Sequence, residues 1–358
     1  MKKELALTVN GPGELNGLVL PLVRVFRCKY PELVCVLYVV PCQFSAGTEA
    51  ELAGASGLFA RVFTLKEYRK YLFIRGWPEG YRPAEDGIVF YGGGDSWYAR
   101  RLSRKYGWPL YGYDEGKVTH KHWFIKLFSR DLDGNLMVDA ALAKKISYQA
   151  VPAGSPELTV GLYPGSREKH LRLMIGFFSA VAGILQAKYP QIRLRWGITP
   201  ELRSLVERGF PDRLAAPYEQ DGEKYDLIIS LTGTNTAINA ALGIPMLVLL
   251  PFNDPALIPF TGLFGLISDI PFIGRLFKAL LLRLSLRKMR YISIPNIKAG
   301  REIVPELRGF LTPEQVAHEA ERVLLHIAER ERMHRELPVF IGKPGAQNIA
   351  DYFAEILG

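Results

Sequence analysis

Cysteine is scarce in this chain, which has only three in 358 residues, at positions 28, 35 and 42. They form no CxxC pair and have no neighbouring histidines, which argues against a disulfide scaffold and against a structural zinc site. The opening MKKELALTVN lacks the apolar stretch of a secretory signal. We therefore expect a cytoplasmic protein.

Charged side chains are also few, at 23% of residues against 48% hydrophobic ones. This balance is typical of a well-packed globular protein and argues against disorder. The length suits two domains. A net charge of +9 favours anionic partners, namely nucleotides, nucleic acid or an anionic membrane face, without choosing among them.

Short apolar segments alternate with helix-like ones along the whole chain. ELALTV, LTVGLY and DLIISL each run into a glycine-bearing loop and then a helical pattern. The uncharged run 227–253 is broken by Thr-Gly-Thr-Asn-Thr and Gly-Ile-Pro, so it indicates strand, loop, helix and strand, not a membrane span. The pattern predicts an α/β class with two doubly wound, Rossmann-like domains.

We place the domain boundary in a linker near residues 140–156, where AVPAGSPEL supplies Pro, Gly and Ser. An N-terminal, acceptor-side domain is predicted over 1–150 and a nucleotide-sugar domain over 151–335. A helical segment, 336–358, is expected to pack back on the first domain.

Three motifs of the second half carry a family resemblance: YPGSRE at 163–168, LTGTNTAINAALGIPMLVL at 231–249 and IPNIKAGREIVPEL at 294–307. In order and spacing they resemble the nucleotide-binding half of the lipid-A-disaccharide synthases, which are GT-B glycosyltransferases with two facing Rossmann-like domains. GPGELNG, GGGDSWYARRL and GNLMVDA extend the resemblance into the first half. It implies an inverting, membrane-associated transfer from a UDP-sugar, UDP-GlcNAc or an acylated derivative, to a glycolipid or amphipathic acceptor.

The chain also departs from the family pattern. Two glutamates of the family are replaced by His170 and Asn239, and a Trp-Ala-Trp segment is missing after Tyr113. The acceptor can therefore differ from the family's acylated glucosamine phosphate.

The predicted donor contacts follow from the same loops. Guanidinium groups bind diphosphate oxygens bidentately, and hydroxyl and amide groups at a helix start suit a diphosphate or a ribose. Ordinary capping and solvated surface charges are the competing interpretations. The predicted donor-binding residues are Ser166, Arg167, Gly233, Thr234, Asn235, Asn239, Asn296, Gly300, Arg301 and Glu302. No metal and no cofactor besides the UDP-sugar substrate is expected.

Asp95 is the candidate catalytic base for deprotonating the acceptor hydroxyl. It follows three glycines at the end of a predicted strand, so its carboxylate is expected at the mouth of the cleft. Capping of the helix SWYARRL is the alternative role. Gly13, Glu14 and Asn16 form the predicted acceptor-side loop.

A basic and apolar segment, 260–289, is predicted to lie on the inner face of the cell membrane, because arginines alternate there with leucines and phenylalanines. A core helix with one charged edge is the competing interpretation. The predicted membrane contacts are Phe264, Phe272, Arg275, Phe277, Lys278, Arg283 and Arg287.

Three other function classes stay open at this stage. One is an enzyme on a soluble sugar, such as a UDP-sugar epimerase or a soluble-acceptor transferase, and another is a non-catalytic nucleotide- or membrane-binding module. Nucleic-acid binding is disfavoured, because the basic residues are interleaved with leucines and match no known reading motif.

Overall fold

A computed structural model describes residues 3–41, 49–73, 77, 80–115, 118–152, 154–166, 168–210, 216–252 and 290–357. The chain divides into two compact units. Unit 1 comprises Met1–Ala143 and Gly342–Gly358, and unit 2 comprises Lys144–Ile341. The chain passes from unit 1 to unit 2 after Ala143, inside the predicted linker region 140–156. It returns to unit 1 at Gly342, six residues beyond the predicted start of the C-terminal segment at 336.

Unit 1 is built on a six-stranded parallel sheet with the order β3-β2-β1-β4-β5-β6. Its central strands are continuous apolar runs, as expected where helices cover both faces. The strands are β1 (Lys3–Val9), β2 (Val34–Val39), β3 (Arg61–Phe63), β4 (Asp86–Tyr91), β5 (Leu110–Asp114) and β6 (Lys126–Ser129). The helices are α1 (Pro12–Glu14), continued by a π-helical turn (Leu15–Val19), α2 (Leu20–Lys29), α3 (Glu49–Ala55), α4 (Leu65–Phe73), α5 (Ser96–Tyr106) and α6 (Leu136–Leu142).

The C-terminal helix (Ala346–Leu357) completes unit 1. Its Phe353 is fully buried, with ring centroids 5.6 Å from Phe26, 6.0 Å from Phe90 and 5.7 Å from Phe128. The segment GNLMVDA, residues 134–140, binds the start of this C-terminal helix. Asp139 Oδ2 accepts hydrogen bonds from the backbone N–H groups of Gly345 and Ala346, at 2.8 and 3.1 Å. That motif therefore anchors the end of the chain to the first unit.

Unit 2 contains a five-stranded parallel sheet with the order β13-β12-β11-β8-β9 and a two-stranded ladder of β7 and β10. The strands are β7 (Ser147–Tyr148), β8 (Thr159–Tyr163), β9 (Arg193–Trp196), β10 (Lys224–Tyr225), β11 (Leu227–Leu231), β12 (Met246–Pro251) and β13 (Glu306–Gly309). Its described helices are α7 (Glu168–Lys188), α8 (Pro200–Gly209), α9 (Thr234–Ala241), α10 (Ile294–Ala299), α11 (Pro313–Leu325) and α12 (Ile327–Ile341).

Helix α7 is long and apolar enough to cross a membrane when judged by length and composition alone. However, side chains spaced along one of its faces are buried in the folded unit: Leu171, Met174, Ile175, Phe178, Val181, Ala182 and Leu185. This spacing is that of a helix packed on a protein core.

A buried ion pair ties α12 to the start of the sheet in unit 2. Arg330 donates to Asp226 Oδ1 at 2.6 Å, and both side chains are fully buried. Asp226 also accepts the backbone N–H groups of Val151 and Thr159, each at 3.0 Å. Three separate chain segments therefore depend on one carboxylate.

Glu4 is a second buried carboxylate, at the opening of β1 in unit 1. Burial raises its pKa, and hydrogen bonds from the Tyr81 hydroxyl and the Ala84 N–H offset that rise only in part. The folded state thus binds this proton more tightly than the unfolded state, so the contribution of Glu4 to stability falls as pH rises through its folded pKa. We expect Glu4→Gln to remove this fall, measured as the urea midpoint from pH 5 to pH 8; an unchanged pH profile would contradict it.

Candidate functional site

The loops at the carboxyl ends of β1 and β4 meet at the switch point of unit 1. From β1 the chain adds β2 and β3 on one side and β4 to β6 on the other, and ligands of such sheets bind where the order reverses. The segment after β1 contains Gly13 and Glu14, both in helix α1, and the loop after β4 contains Gly92–Asp95. The structure therefore brings the predicted acceptor-side loop and the predicted base to one edge of one sheet.

The glycines after β4 allow these two loops to approach closely. A Cβ atom at Gly93 would lie 2.9 Å from Cγ of Glu14 and 3.1 Å from Oδ1 of Asn10, and one at Gly94 would lie 2.9 Å from Cβ of Asn10. Any larger residue would push the loops apart. The backbone of these glycines therefore packs against the segment that follows β1.

Asp95 is the N-cap of α5, since its Oδ1 accepts the backbone N–H of Trp97 at 2.9 Å. Its side chain is exposed. Within the described residues Oδ2 makes no hydrogen bond, so capping occupies only one of the two carboxylate oxygens. The capping role is confirmed, and the role as base stays a prediction that this geometry allows.

Asn10 is a site residue that the sequence analysis missed. It follows β1 directly and is only 7% exposed, yet its Oδ1 has no hydrogen-bond partner within the described residues. A buried acceptor of this kind suits a hydroxyl donor on a ligand. The available signal was an asparagine placed between a buried strand and a glycine loop. Asn16, by contrast, lies half-buried in the π-helical turn Leu15–Val19.

In unit 2 the switch point lies between β8 and β11, because β9 is added on one side of β8 and β11 to β13 on the other. Ser166 follows β8 just before α7, and Gly233 to Asn235 follow β11 at the start of α9. A Cβ at Gly165 would lie 3.4 Å from Leu231, the last residue of β11, so the two loops are neighbours. Two helix N-termini therefore open at the same place.

The start of α9 offers uncapped backbone N–H groups. Its N-cap, Gly233, has φ 141° and ψ −162°, a conformation that is almost restricted to glycine, and no side chain caps the helix. Neither Thr234 nor Asn235 makes a side-chain hydrogen bond within the described part of the chain. These donors suit an anion or a sugar hydroxyl.

The loop before α10 is joined to this helix start. Thr232 Oγ1 donates to Ile292 O at 2.6 Å, and Thr236 Oγ1 donates to Gly233 O at 2.7 Å while accepting from Ile294 N at 3.4 Å. The second and third motifs of the resemblance therefore form one connected structure.

Asn296 holds this structure together from within, which corrects its predicted role as a donor contact. Its Oδ1 accepts from the N–H groups of Ile303 and Val304 at 2.7 and 3.0 Å, and its Nδ2 donates to Val304 O and Glu306 Oε1 at 2.8 and 2.7 Å. With every amide donor used and the side chain fully buried, none is left for a ligand.

Gly300, Arg301 and Glu302 follow the end of α10, away from its start at Ser293. Arg301 pairs with Glu336 of α12 at 2.9 Å. The same helix contacts Asp226, before β11, and Gly243, before β12, so it lies at the amino edge of the sheet. This placement does not bring the three residues to the ligand expected at Thr234, because strand starts and strand ends lie on opposite edges.

The remaining predicted residues divide into two groups. Asn239 is fully buried in α9 and its amide has no partner within the described residues, so its donor contact stays a prediction. Arg167 and the seven predicted membrane contacts lie outside the described residues. Among the residues that are described, no group of three or more His, Cys, Asp or Glu side chains is placed to hold a metal ion.

No protein-family model matches the chain. Individual proteins do match the chain. It is 28% identical over 200 residues to a lipid-A-disaccharide synthase of Myxococcus xanthus, and the match covers 55% of this chain and 48% of that protein. It is 44% identical over 63 residues, 16% of each chain, to the synthase of Anaeromyxobacter dehalogenans. The matches thus span about half the length of the first of these relatives. The predicted resemblance to this family is confirmed, at 28% identity over the longer of the two matches.

Solved structures share the fold across almost the whole chain. A UDP-N-acetylglucosamine 2-epimerase described as putative, from Listeria monocytogenes, superposes with a TM-score of 0.58 at 13% identity, covering 99% of this chain and 97% of that one. The UDP-GlcNAc 2-epimerase of Neisseria meningitidis, solved with UDP-GlcNAc, gives 0.52 at 12% identity and 99% coverage of both. The predicted fold class of two Rossmann-like units is confirmed.

Proposed function

We propose, from the premise that the chain is a divergent relative of the lipid-A-disaccharide synthases, that it is an inverting glycosyltransferase. It would move a sugar from a UDP-sugar, UDP-GlcNAc or an acylated derivative, to a glycolipid or other amphipathic acceptor. One observation carries the proposal: glycine-bearing segments of the resemblance, after β1 and β4 in unit 1 and after β8 and β11 in unit 2, lie at the switch point of each sheet. Ligands of doubly wound sheets bind at that point.

The donor side is unit 2. The N-termini of α7 and α9 bear partial positive charge, and the start of α9 has no side-chain cap, so both favour a diphosphate. Ser166, Thr234 and Asn235 add hydroxyl and amide donors beside them. The UDP-GlcNAc 2-epimerase of Neisseria meningitidis, which shares the fold and was solved with UDP-GlcNAc, supports this type of ligand.

The acceptor side is unit 1, with Asp95 as the base. The acceptor oxygen forms a bond to the anomeric carbon while the bond from that carbon to the diphosphate breaks, so the configuration inverts. Oδ2 of Asp95 takes the hydroxyl proton, and the departing UDP keeps the bonding electron pair. Asn10 and Glu14, which pack over the glycines before Asp95, would orient the acceptor.

The proposal also includes where in the cell the enzyme acts. An amphipathic acceptor resides in a bilayer, so the enzyme would associate peripherally with the inner face of the cell membrane. The basic apolar segment 260–289 supports this by its composition.

We expect Gly233→Ala to weaken UDP binding about tenfold or more, measured by calorimetry. An alanine at this φ and ψ is strained by about 1–3 kcal/mol, and relieving that strain moves the start of α9 away from the ligand.

Gly222→Ala is the matched control. Gly222 also has a positive φ, 86°, with open space where its Cβ would stand, but it lies in the turn before β10, at the amino edge of the sheet. Equal UDP affinity in both variants and the parent would place the donor elsewhere.

An assay of turnover distinguishes the proposed glycosyltransferase from an epimerase and from a non-catalytic binding module. UDP release from UDP-GlcNAc that depends on an added acylated sugar supports it. Formation of an epimer of UDP-GlcNAc without an acceptor, or UDP binding with no product, would instead identify an epimerase or a non-catalytic module.

A further inference from the structure

His170 lies in the first turn of α7 and packs against the loop that joins β8 to this helix. A Cβ atom at Gly165 would stand 3.0 Å from Cβ of His170 and 3.5 Å from its Nδ1. The same atom would stand 3.4 Å from Leu231, at the end of β11. The half-buried imidazole therefore lies where the loops after β8 and β11 come together, at the switch point of unit 2.

Asn239 independently points to a ligand at the same place. Its side chain is fully buried, and neither atom of its amide has a partner within the described residues. It lies one helical turn after Asn235, and side chains in a helix incline toward the N-terminus, so its amide is directed toward the start of α9. Buried amides are normally hydrogen-bonded, so the unused groups suit a polar ligand at this helix start.

The charged side chains closest to His170 along the chain are on α7 itself. Lys169 is exposed, and Glu168 pairs with Arg172 at 2.8 Å. Residues 164–166 and 231–239, which form the two loops and the start of α9, have no charged side chain. Arg167 follows Ser166 in the sequence, but a guanidinium keeps its charge at all these pH values and adds no pH dependence.

Two other helices pack on α7, and their charged groups have partners elsewhere. Glu321 of α11 bonds Lys188 and Tyr189, which lie at the end of α7 opposite to His170. Arg203 of α8 donates to the backbone carbonyls of residues 198 and 219. A proton on His170 therefore adds a positive charge beside loops whose titration is otherwise slight between pH 5.5 and pH 8.5.

We propose that His170 couples donor binding to pH, because its protonated form strengthens the binding of a nucleoside diphosphate sugar at the loops before α7 and α9. The inference rests on the proposed donor site in unit 2. A histidine ordinarily titrates near pH 6.5, and an anion beside the ring favours the imidazolium. Donor affinity is therefore highest below the pKa of the free protein, falls as pH rises, and levels off above the pKa of the complex.

The expected change in donor affinity is about tenfold between pH 5.5 and pH 8.5. Opposite charges about 6 Å apart, in surroundings intermediate between water and a protein surface, attract one another enough for a factor of this size. Added salt should reduce the factor, since the imidazole is only half-buried.

The first test is calorimetry of UDP-GlcNAc binding to the full chain at pH 5.5, 7.0 and 8.5. UDP-GlcNAc is the suitable probe because its diphosphate is esterified at both ends, whereas a terminal phosphate such as that of UDP titrates near pH 6 itself. His170→Gln should show the weak affinity of the parent at pH 8.5 throughout the range. His170→Lys should show the strong affinity of pH 5.5 throughout, because lysine stays charged.

His334→Gln is the matched control. His334 is an exposed histidine of the same unit, and its Nδ1 lies 2.8 Å from the carbonyl oxygen of Gly243, at the amino edge of the sheet. This variant should keep the pH profile of the parent.

The second test is NMR of the histidine ring protons in the parent. The signal that is missing from His170→Gln and from His170→Lys should titrate at a higher pH when UDP-GlcNAc is added. This measurement needs only one of the two variants to fold, which their thermal unfolding midpoints report.

Equal UDP-GlcNAc affinity from pH 5.5 to pH 8.5 in the parent, a pH profile that survives in His170→Gln, or an unchanged titration of the His170 signal would each overturn the inference and leave the donor site in place. Absence of UDP-GlcNAc binding at every pH by a folded parent would instead identify a failure of the proposed function, and the inference would fall with it.

Discussion

Asp95→Asn is expected to lower turnover by about 10²–10⁴-fold while UDP affinity and the free energy of unfolding stay near the parent values. General base catalysis contributes roughly this factor, and the amide of asparagine cannot take the acceptor proton. Asparagine is as good an N-cap as aspartate, so the hydrogen bond to the N–H of Trp97 is preserved. The measurement is UDP release in the presence of an acylated sugar acceptor, with calorimetry for UDP.

Two further variants separate catalysis from capping. Asp95→Ala should lose the same activity and also about 1 kcal/mol of stability, because the cap is gone. Thr312→Ala removes a comparable cap from α11, where the Thr312 side chain accepts from the N–H of Gln315, and should cost similar stability with normal turnover. Full turnover in Asp95→Asn would leave Asp95 with the capping role alone.

Arg330→Met is expected to destabilise unit 2 by about 3–5 kcal/mol, because it leaves the buried Asp226 carboxylate without its counter-charge. Asp226→Ala should cost at least as much, since the N–H groups of Val151 and Thr159 lose their acceptor as well. Urea unfolding, followed by tryptophan fluorescence, measures both changes.

Arg172→Met is the matched control for that pair. Arg172 bonds Glu168 one helical turn away at 2.8 Å, with side chains 48% and 40% exposed, so its loss should cost a few tenths of a kcal/mol. If Arg330→Met and Arg172→Met lower the free energy of unfolding by the same amount, the buried pair contributes no more to stability than a surface pair.

The strands that position the site were predictable because they are buried on both faces, which makes each of them a short continuous apolar run. DLIISL became β11 without its first residue, and the second strand indicated within the uncharged run 227–253 became β12. In a parallel sheet the loops after the strands all lie at the carboxyl edge, so the glycine loops were expected there. Gly233 and Asp95 lie at that edge of their sheets.

The misplaced donor contacts depend on partners that no local pattern shows. Arg301 is drawn to Glu336, 35 residues along the chain, and the amide of Asn296 closes a turn onto Val304 and Glu306. In both cases a polar side chain bonds within the protein, and the sequence alone does not distinguish it from a side chain that contacts a ligand. Asn10 was missed for the converse reason, since its burial appears only when the loop after β4 packs over it.

The anchoring of the C-terminal helix also determines the order in which the protein matures on the ribosome. Most of unit 1 precedes unit 2 in the sequence, but the aromatic contacts of Phe353 with Phe26 and Phe90 require residues that follow unit 2. At about 5–20 residues per second, unit 2 takes about 10–40 seconds to synthesise, and during that time Phe26 of α2 lacks its contact with Phe353. Unit 2 is contiguous in the sequence, so all of its residues are synthesised before those that complete unit 1.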